Sequence, residues 1–181
     1  MKRFCWVVIV LLSVCGYLRA QEFPKAEVFG GYSYARAGIS TSTTVNANGY
    51  AASVTGNISR LLGITVEVSQ QFGKSDSTDY EFRSFNVGPR FTCRKPEKFT
   101  PFAHFLVGDA RYGSRQNPDV SSLRYHENTL ALAFGGGVDV NLHSIMAIRA
   151  IQADYYSTGF SRNRHGDLRL GFGVVLMLGK K

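Results

Sequence analysis

The pattern of apolar positions is clearest near the C-terminus. From Asp167 to Leu178 every second residue is large and apolar, whereas most residues between them are small or polar. The apolar positions are Leu168, Leu170, Phe172, Val174, Leu176 and Leu178. A period of two places alternate side chains on opposite faces of an extended strand. The segment is therefore predicted to be a strand with one apolar face.

Similar alternation occurs in seven segments upstream. The eight predicted strands are 26–36, 48–59, 62–73, 80–92, 99–112, 129–141, 145–156 and 167–178. Long connections after the first, fifth and seventh strands alternate with short ones after the second and sixth. This arrangement predicts an antiparallel up-and-down meander whose long loops lie at one end. The fold class is therefore all-β, with eight strands closing a barrel.

Two of the predicted strands are irregular. In the seventh, Arg149 is at an odd-numbered position, whereas Gln152 and Asp154 are at even-numbered positions, so a regular strand would place them on opposite faces. A β-bulge between them would return all three polar side chains to one face, although its position is not evident from the pattern. In the fourth, Pro89 cannot donate a ladder hydrogen bond, which also predicts an irregularity.

The residues on the polar face are mostly small. They include Gly31, Ser33, Ala51, Ser53, Thr55, Ser69, Ala131, Ala133, Gly135 and Gly137. A face exposed to water would carry many lysines and glutamates. Small polar side chains instead suit the lumen of an eight-stranded barrel, which is just wide enough for side chains to fill it. The apolar face is therefore predicted to meet lipid, which favours a transmembrane barrel over a soluble one.

Aromatic residues cluster at the predicted strand ends. Those assigned to the upper ends are Tyr32, Tyr34, Tyr50, Phe72, Tyr80, Tyr112, Tyr155 and Tyr156, and those assigned to the lower ends are Phe91 and Phe99. Aromatic girdles at both membrane interfaces are typical of transmembrane barrels.

The start of the chain predicts export. A basic start, an apolar run and the sequence Leu18-Arg19-Ala20 before Gln21 are the layout of a secretory signal peptide. We therefore expect residues 1–20 to be cleaved and residues 21–181 to form a single barrel domain. Lipidation of Cys15 is the alternative.

Cleavage would remove three of the 21 basic residues, leaving 18 against 13 acidic residues, a charge of +5. This mild excess does not indicate a nucleic-acid partner.

Charged residues on the polar face form the first candidate site. They are Glu67, Arg90, His104, Asp139, Arg149 and Arg169. Charges are costly in lipid, so these side chains are expected to point inward, pair with one another and plug the lumen.

Arginines near the longest predicted loop and in the last predicted loop form the second candidate site. Arg111, Arg115, Arg124, Arg162 and Arg164 are predicted to form an anion-binding rim for lipopolysaccharide phosphates. The alternative is that Asp119, Glu127 and Asp167 neutralise these arginines and the loops are merely solvated.

The sequence predicts no catalytic, metal or cofactor site. His104 has no serine at a matching strand position, and no Cys/His pair has the spacing of a metal site. Gly135-Gly136-Gly137 lacks the lysine and the helix of a phosphate loop, so close packing of the backbone is the better interpretation.

The chain resembles the eight-stranded outer-membrane barrels, namely the OmpA transmembrane domain and OmpX-like proteins. The motifs that carry the resemblance are EVFGGYSY at 27–34, VGPRF at 87–91, GGGVD at 135–139 and the last strand. It implies a monomer in the outer membrane, inserted by the assembly machinery, with a structural or surface-interaction role. A narrow solute channel is the alternative, and a lipid A-modifying enzyme is a third candidate. The chain ends Leu178-Gly179-Lys180-Lys181 and not on the aromatic residue frequent in such proteins.

Overall fold

The computed structural model describes residues 23–38, 44–75, 78–94, 98–116, 125–158 and 166–180. They form eight strands, which are β1 Pro24–Gly38, β2 Thr44–Asn57, β3 Leu62–Ser75, β4 Thr78–Thr92, β5 Phe99–Gln116, β6 Tyr125–His143, β7 Met146–Thr158 and β8 Gly166–Lys180. Each strand pairs with the next, and β8 pairs with β1, all antiparallel. The predicted closed up-and-down barrel is confirmed, and closure leaves no unpaired sheet edge.

The two ends of the barrel differ in their connections. The chain enters β1 at the end that also holds residues 58–61, 93–94 and 144–145, which we call the lower end. β1, β3, β5 and β7 end at the opposite, upper end. The predicted signal peptide lies outside the described residues. In the part of the chain that the structure covers, no helix is long and apolar enough to cross a membrane.

The apolar faces of the strands point outward and the polar faces point inward. Val54, Val66 and Phe134 are exposed on the outer wall, whereas Thr55, Glu67 and Asn86 are buried in the lumen. The barrel therefore has a polar interior and an apolar exterior, the reverse of a water-soluble domain. This is the orientation that the small residues of the polar face predict.

A few large side chains break the simple division. Phe29, Phe102 and Leu106 are buried in the lumen, which explains why the alternation in β5 looks weak in the sequence. Tyr156 is also buried, so its assignment to the outer aromatic girdle is wrong. Its neighbour Tyr155 is exposed on the outer wall.

The register around the barrel fixes the tilt of the strands. From Gly31 the partners in one direction are Ala51, Ser69, Ser84, Ala110 and Thr129, and in the other direction they are Gly173, Arg149 and Asp139. The two paths reach β6 at positions that differ by 139 − 129 = 10 residues, which is the shear of the barrel. A shear of ten in eight strands, with a rise of about 3.3 Å and a spacing of about 4.8 Å, gives a tilt of about 40°.

The tilt gives the height of the apolar outer wall. On β8 the outward apolar residues run from Leu178 up to Leu168, a span of 178 − 168 = 10 residues. At a rise of about 3.3 Å per residue and a tilt of about 40°, this span is about 25 Å high, the height expected of the apolar band of a membrane barrel.

The bulge expected in the seventh strand lies at Ala150 and Ile151. Arg149 pairs with Asp139 on β6 and Gly173 on β8, whereas the regular register resumes at Ile151 on the β6 side and at Gln152 on the β8 side. Ala150 and Ile151 both face outward, so Arg149 and Gln152 can both face the lumen. At Pro89, pairing with β5 is interrupted, but the register is the same on both sides, so there is no bulge.

Several strands extend further upward than the alternation predicts. β2 begins at Thr44, β5 ends at Gln116 and β6 begins at Tyr125, where the sequence predicts loops. In the extension of β2 the outward residue Asn46 is polar as well. The contrast between the two faces is therefore lost although the strand continues.

The bulge can be tested by deletion. Without Ala150, Ile151 alone would face outward between Arg149 and Gln152, so the barrel should still fold, with a loss of about 1–2 kcal/mol at most. The measurement is the folded fraction in detergent, by circular dichroism and unheated gel mobility. Deletion of Ala153 is the control, since it must turn either Gln152 or Asp154 outward and should prevent folding. Equal behaviour of the two deletions would contradict this assignment.

Candidate functional site: the charged lumen and the outer polar ring

The lower part of the lumen contains an ionic cluster centred on Asp139. Arg90 Nη2 donates to Asp139 Oδ2 at 2.8 Å, and Arg149 Nε donates to Asp139 Oδ1 at 2.8 Å. Arg90 Nη1 also lies 3.3 Å from Glu27 Oε2. Arg94, in the turn after β4, extends into the lumen and donates to the same Glu27 carboxylate. The cluster therefore joins β1, β4, β6, β7 and a lower turn.

Aromatic rings cover the arginines of this lower cluster. The Arg90 guanidinium lies 4.0 Å from the ring centre of Phe102, and that of Arg149 lies 4.4 Å from the same ring and 4.1 Å from the ring of Phe29. Cation–π contacts of this kind stabilise a desolvated guanidinium. The inward phenylalanines are therefore part of the charged site.

A second ionic cluster occupies the upper part of the lumen. Arg169 Nε donates to Asp154 Oδ2 at 3.0 Å, and Arg169 Nη2 donates to Glu67. His104 Nε2 donates to the other oxygen of Asp154 at 2.8 Å. The buried Tyr156 hydroxyl donates to Glu67 Oε1 at 3.3 Å. Every charged side chain in the cluster thus has a partner of opposite charge.

Gln152 connects the two clusters. Its Oε1 accepts from Arg149 Nη1 at 2.7 Å, and its Nε2 donates to Asp154 Oδ2 at 2.8 Å and to Glu67 Oε2 at 3.3 Å. The amide oxygen therefore faces the lower cluster and the amide nitrogen faces the upper one.

The charges of the two clusters explain this orientation. With His104 counted as neutral, Arg90, Arg94 and Arg149 against Glu27 and Asp139 give 3 − 2 = +1, and Arg169 against Glu67 and Asp154 gives 1 − 2 = −1. The Gln152 dipole is aligned with the field between the clusters, and the network as a whole is neutral. Neutrality matters because an uncompensated buried charge costs several kcal/mol.

Polar side chains lie above the apolar band on the outer wall of β1 to β5. The first outward polar residues on β1 to β5 are Arg36, Asn48, Gln70, Arg83 and Asp109. Each register step from β1 towards β5 rises by about 3 Å and each residue along a strand by about 2.5 Å, so these five residues lie within about 4 Å of one level. We call them the outer polar ring.

Tyrosines at the top of the apolar band donate to amides in and beside this ring. The Tyr34 hydroxyl donates to Asn46 Oδ1 at 2.9 Å, and those of Tyr32 and Tyr50 donate to Asn48 and Gln70. Gln70 in turn donates to Glu81 at 2.5 Å. Gln70, which looks out of place on an apolar face in the sequence, is therefore bound by polar neighbours at the level of the ring, with the exposed Phe72 above it on β3.

Solved structures share this architecture. Neisserial surface protein A (NspA) aligns with a TM-score of 0.69 at 15% identity, over 87% of this chain and 99% of its own. Ail, the attachment invasion locus protein of Yersinia pestis, in complex with the heparin analogue sucrose octasulfate, aligns with a TM-score of 0.61 at 19% identity, over 84% and 99%. The N-terminal β-barrel domain of Pseudomonas aeruginosa OprF gives 0.53 at 12% identity, over 86% and 98%.

The chain has the fold of the eight-stranded outer-membrane barrels. At these identities the likeness concerns the fold alone. The sequence matches no family model and no curated protein.

Within this outer-membrane barrel fold, the six lumen charges of the sequence analysis are all buried and lie in the two clusters. Sequence reasoning left out Glu27, Arg94, Gln152 and Asp154. The position of Asp154 in the alternation indicates the lumen once a bulge between Arg149 and Gln152 is allowed. Arg94 lies beyond the last inward position of β4, so no alternation could assign it to the lumen.

The five arginines of the predicted rim are only partly described. Arg111 is exposed on the outer wall of β5, beside Asp109, rather than at the mouth of the lumen. Arg115 belongs to β5, but its side chain is not described. Arg124, Arg162 and Arg164 lie outside the described residues. Across the described ranges, no group of His, Cys, Asp and Glu side chains is arranged to hold a metal ion.

A cavity of about 650 Å³ opens at the lower end of the barrel. Glu27, Arg94 and Asp139 line its polar side, and Ala147, Val175 and Met177 line its apolar side. The same carboxylates belong to the lower cluster, so the ion pairs lie directly above this vestibule.

The absence of a side chain at Gly135 leaves room for the upper cluster. A Cβ at Gly135 would overlap Asp154 Oδ1 and the Ala153 carbonyl oxygen. Gly135→Ala should therefore displace Asp154 from His104 and Arg169 and destabilise the barrel by about 2–3 kcal/mol. Gly30→Ala is the control, because a Cβ there meets nothing within 4 Å. The urea midpoint in detergent should fall for the first variant alone, and equal midpoints would contradict the packing argument.

Proposed function

We propose that this protein is an exported, monomeric barrel of the outer membrane, without enzymatic activity, with a structural or surface-interaction role. The observation that carries the proposal is the outer wall, an apolar band about 25 Å high that ends at the outer polar ring. The band matches the hydrocarbon thickness, and the tyrosines at its top match an interfacial girdle. The signal peptide predicted at 1–20 supports export.

The upper end would face outward and the lower end the periplasm, because outer-membrane barrels have short periplasmic turns and the connections 58–61 and 144–145 at the lower end are short. Specificity would then reside in the upper connections, because the lumen is filled by paired side chains. The name of Ail, the attachment invasion locus protein, fits a surface-interaction role for a barrel of this fold. The partners that we propose are outer-membrane lipid and lipopolysaccharide, with insertion by the assembly machinery.

If the barrel lies in a membrane, the free energy lost when an outward residue is replaced by arginine should depend on the depth of that residue in the bilayer. Val174 lies near the middle of the band on β8, and Leu168 lies at its upper edge on the same face; both are about half exposed. Val174→Arg should cost about 2–4 kcal/mol and Leu168→Arg about 0–1 kcal/mol. The measurement is the unfolding free energy in lipid vesicles, with the heat-dependent shift in SDS gel mobility as the assay of folding.

Two results would contradict membrane placement. One is an equal effect of the two arginine variants, since a wall exposed to water tolerates arginine at either height. The other is a wild-type protein that runs identically before and after heating and shows helical circular dichroism.

A small-solute channel is the second candidate, and the lower vestibule is the observation that favours it. The ion pairs above the vestibule argue that the wild type is closed. Wild-type protein in planar bilayers should therefore show no steady conductance, whereas Arg90→Ala should conduct, because it removes a side chain between Glu27, Asp139 and Phe102. Arg36→Ala, on the outer wall, is the control and should remain closed. Steady wild-type conductance would favour the channel instead.

A further inference from the structure

Two arginines oppose each other on the outer wall. Arg83 of β4 and Arg111 of β5 are direct register partners, and both side chains are more than 60% exposed, at 62% and 65%. Side chains directly opposite on neighbouring antiparallel strands have Cβ atoms about 5 Å apart, and like charges at this spacing repel. A barrel gains nothing internally from such a pair, but an anion between the two guanidinium groups would relieve the repulsion.

Among the described residues, protein carboxylates do not saturate either arginine. Arg83 donates to Glu81 through Nε and Nη2, and Arg111 contacts Asp109 through Nε at 3.3 Å. A guanidinium carries five N–H donors, so these contacts use two donors of Arg83 and one of Arg111. The Glu81 oxygen that binds Arg83 also accepts from Gln70, which holds this carboxylate towards β3 and away from Arg111. The donors that remain suit a tetrahedral oxyanion.

The position of the pair selects the kind of anion. Arg83 belongs to the outer polar ring, and Arg111 lies one outward position above Asp109 of the same ring. Phe85 is the next outward residue below Arg83, and Val107 is the next outward residue below Asp109; both are exposed on the apolar band. A ligand between the arginines would therefore have charged oxygens above the band and hydrocarbon along it.

We propose that Arg83 and Arg111 form a binding site for the phosphate group of an anionic lipid in the outer leaflet, whose acyl chains pack on Phe85 and Val107. The site rests on the proposed membrane location. Arginine suits a phosphate site because its planar guanidinium group makes paired, charge-assisted hydrogen bonds to phosphate. Among the rim residues of the sequence analysis only Arg111 belongs to the site. Arg83 is a new member that the loop pattern did not indicate.

The experiment compares the intact wild-type protein, refolded in detergent, with an Arg83→Gln, Arg111→Gln double variant. Lys74→Gln is the matched control, because Lys74 is an exposed cation on the outer wall of neighbouring β3, paired with Asp79. Native mass spectrometry measures retained lipid during titration with phosphatidylglycerol, lipid A or zwitterionic phosphatidylcholine. A parallel titration adds inorganic phosphate as a competitor, which separates a lipid site from a site for free phosphate.

The wild type and Lys74→Gln should retain the two anionic lipids better than phosphatidylcholine. The double variant should bind the anionic lipids roughly three- to tenfold more weakly, the effect of losing two exposed charge contacts. Raising the salt from 0.1 to 1 M shortens the Debye length from about 10 to about 3 Å and should remove most of the difference. Inorganic phosphate should compete weakly, since it lacks the acyl chains.

Equal retention by the wild type and the double variant would overturn the proposal, as would an equal loss in Lys74→Gln, which would indicate only a general charge effect. Full displacement by inorganic phosphate would overturn the lipid assignment. The heat-dependent gel shift is recorded for every variant. If the shift is intact in all of them and the lipid result fails, the site is wrong but the membrane barrel stands. If the wild type shows no shift, the proposed function itself fails.

Discussion

The structure depends on the neutralisation of charge inside a closed sheet. Eight strands with a shear of ten enclose a lumen that side chains fill. Any charge that enters this lumen loses its water, and it is tolerated only with a partner of opposite charge and hydrogen bonds for its remaining polar atoms. Four arginines and four carboxylates meet the charge condition as two connected clusters. Among the described residues, the buried Arg90 Nε and Arg169 Nη1 have no hydrogen-bond partner. The small residues of the inward face, above all Gly135, leave the volume that these long side chains need.

The neutral interior and the apolar exterior have different structural roles. The outer wall sets the depth of the barrel, because its apolar band ends at a common level where tyrosine hydroxyls meet amide side chains. The lumen network holds the strands to one another across the barrel. Arg90, for example, contacts Glu27 on β1 and Asp139 on β6 from its position on β4. Under the proposed function, specific recognition would fall to surfaces outside the lumen, such as the outer wall of β4 and β5.

The alternation predicted the strands and their faces because burial in this fold changes with a period of two. It could not locate the bulge, since Ala150 and Ile151 are both acceptable on an apolar wall and the pattern permits more than one position. It assigned Tyr156 to the girdle, because a tyrosine near a strand end looks the same whether it faces lipid or the lumen. It also gave no reason to place Arg94 in the lumen. Only the three-dimensional path of that turn brings the arginine to Glu27.

The distribution of ion-pair partners along the chain has a consequence for the order of folding. In the last three strands, charges pair between neighbours, as Asp139 with Arg149 and Asp154 with Arg169. In the first four strands, Glu27 pairs with Arg90 three strands away, and Glu67 pairs with Arg169 at the far end of the chain. A partly assembled sheet would therefore expose unmatched charges from β1, β3 and β4. Glu67 gains its partner only when β8 is in place, and Glu27 meets Arg90 only when the sheet curls so that β1 and β4 approach across the lumen. Insertion and closure should therefore occur in one cooperative step, with the C-terminal strands, whose charges pair between neighbours, as the nucleus.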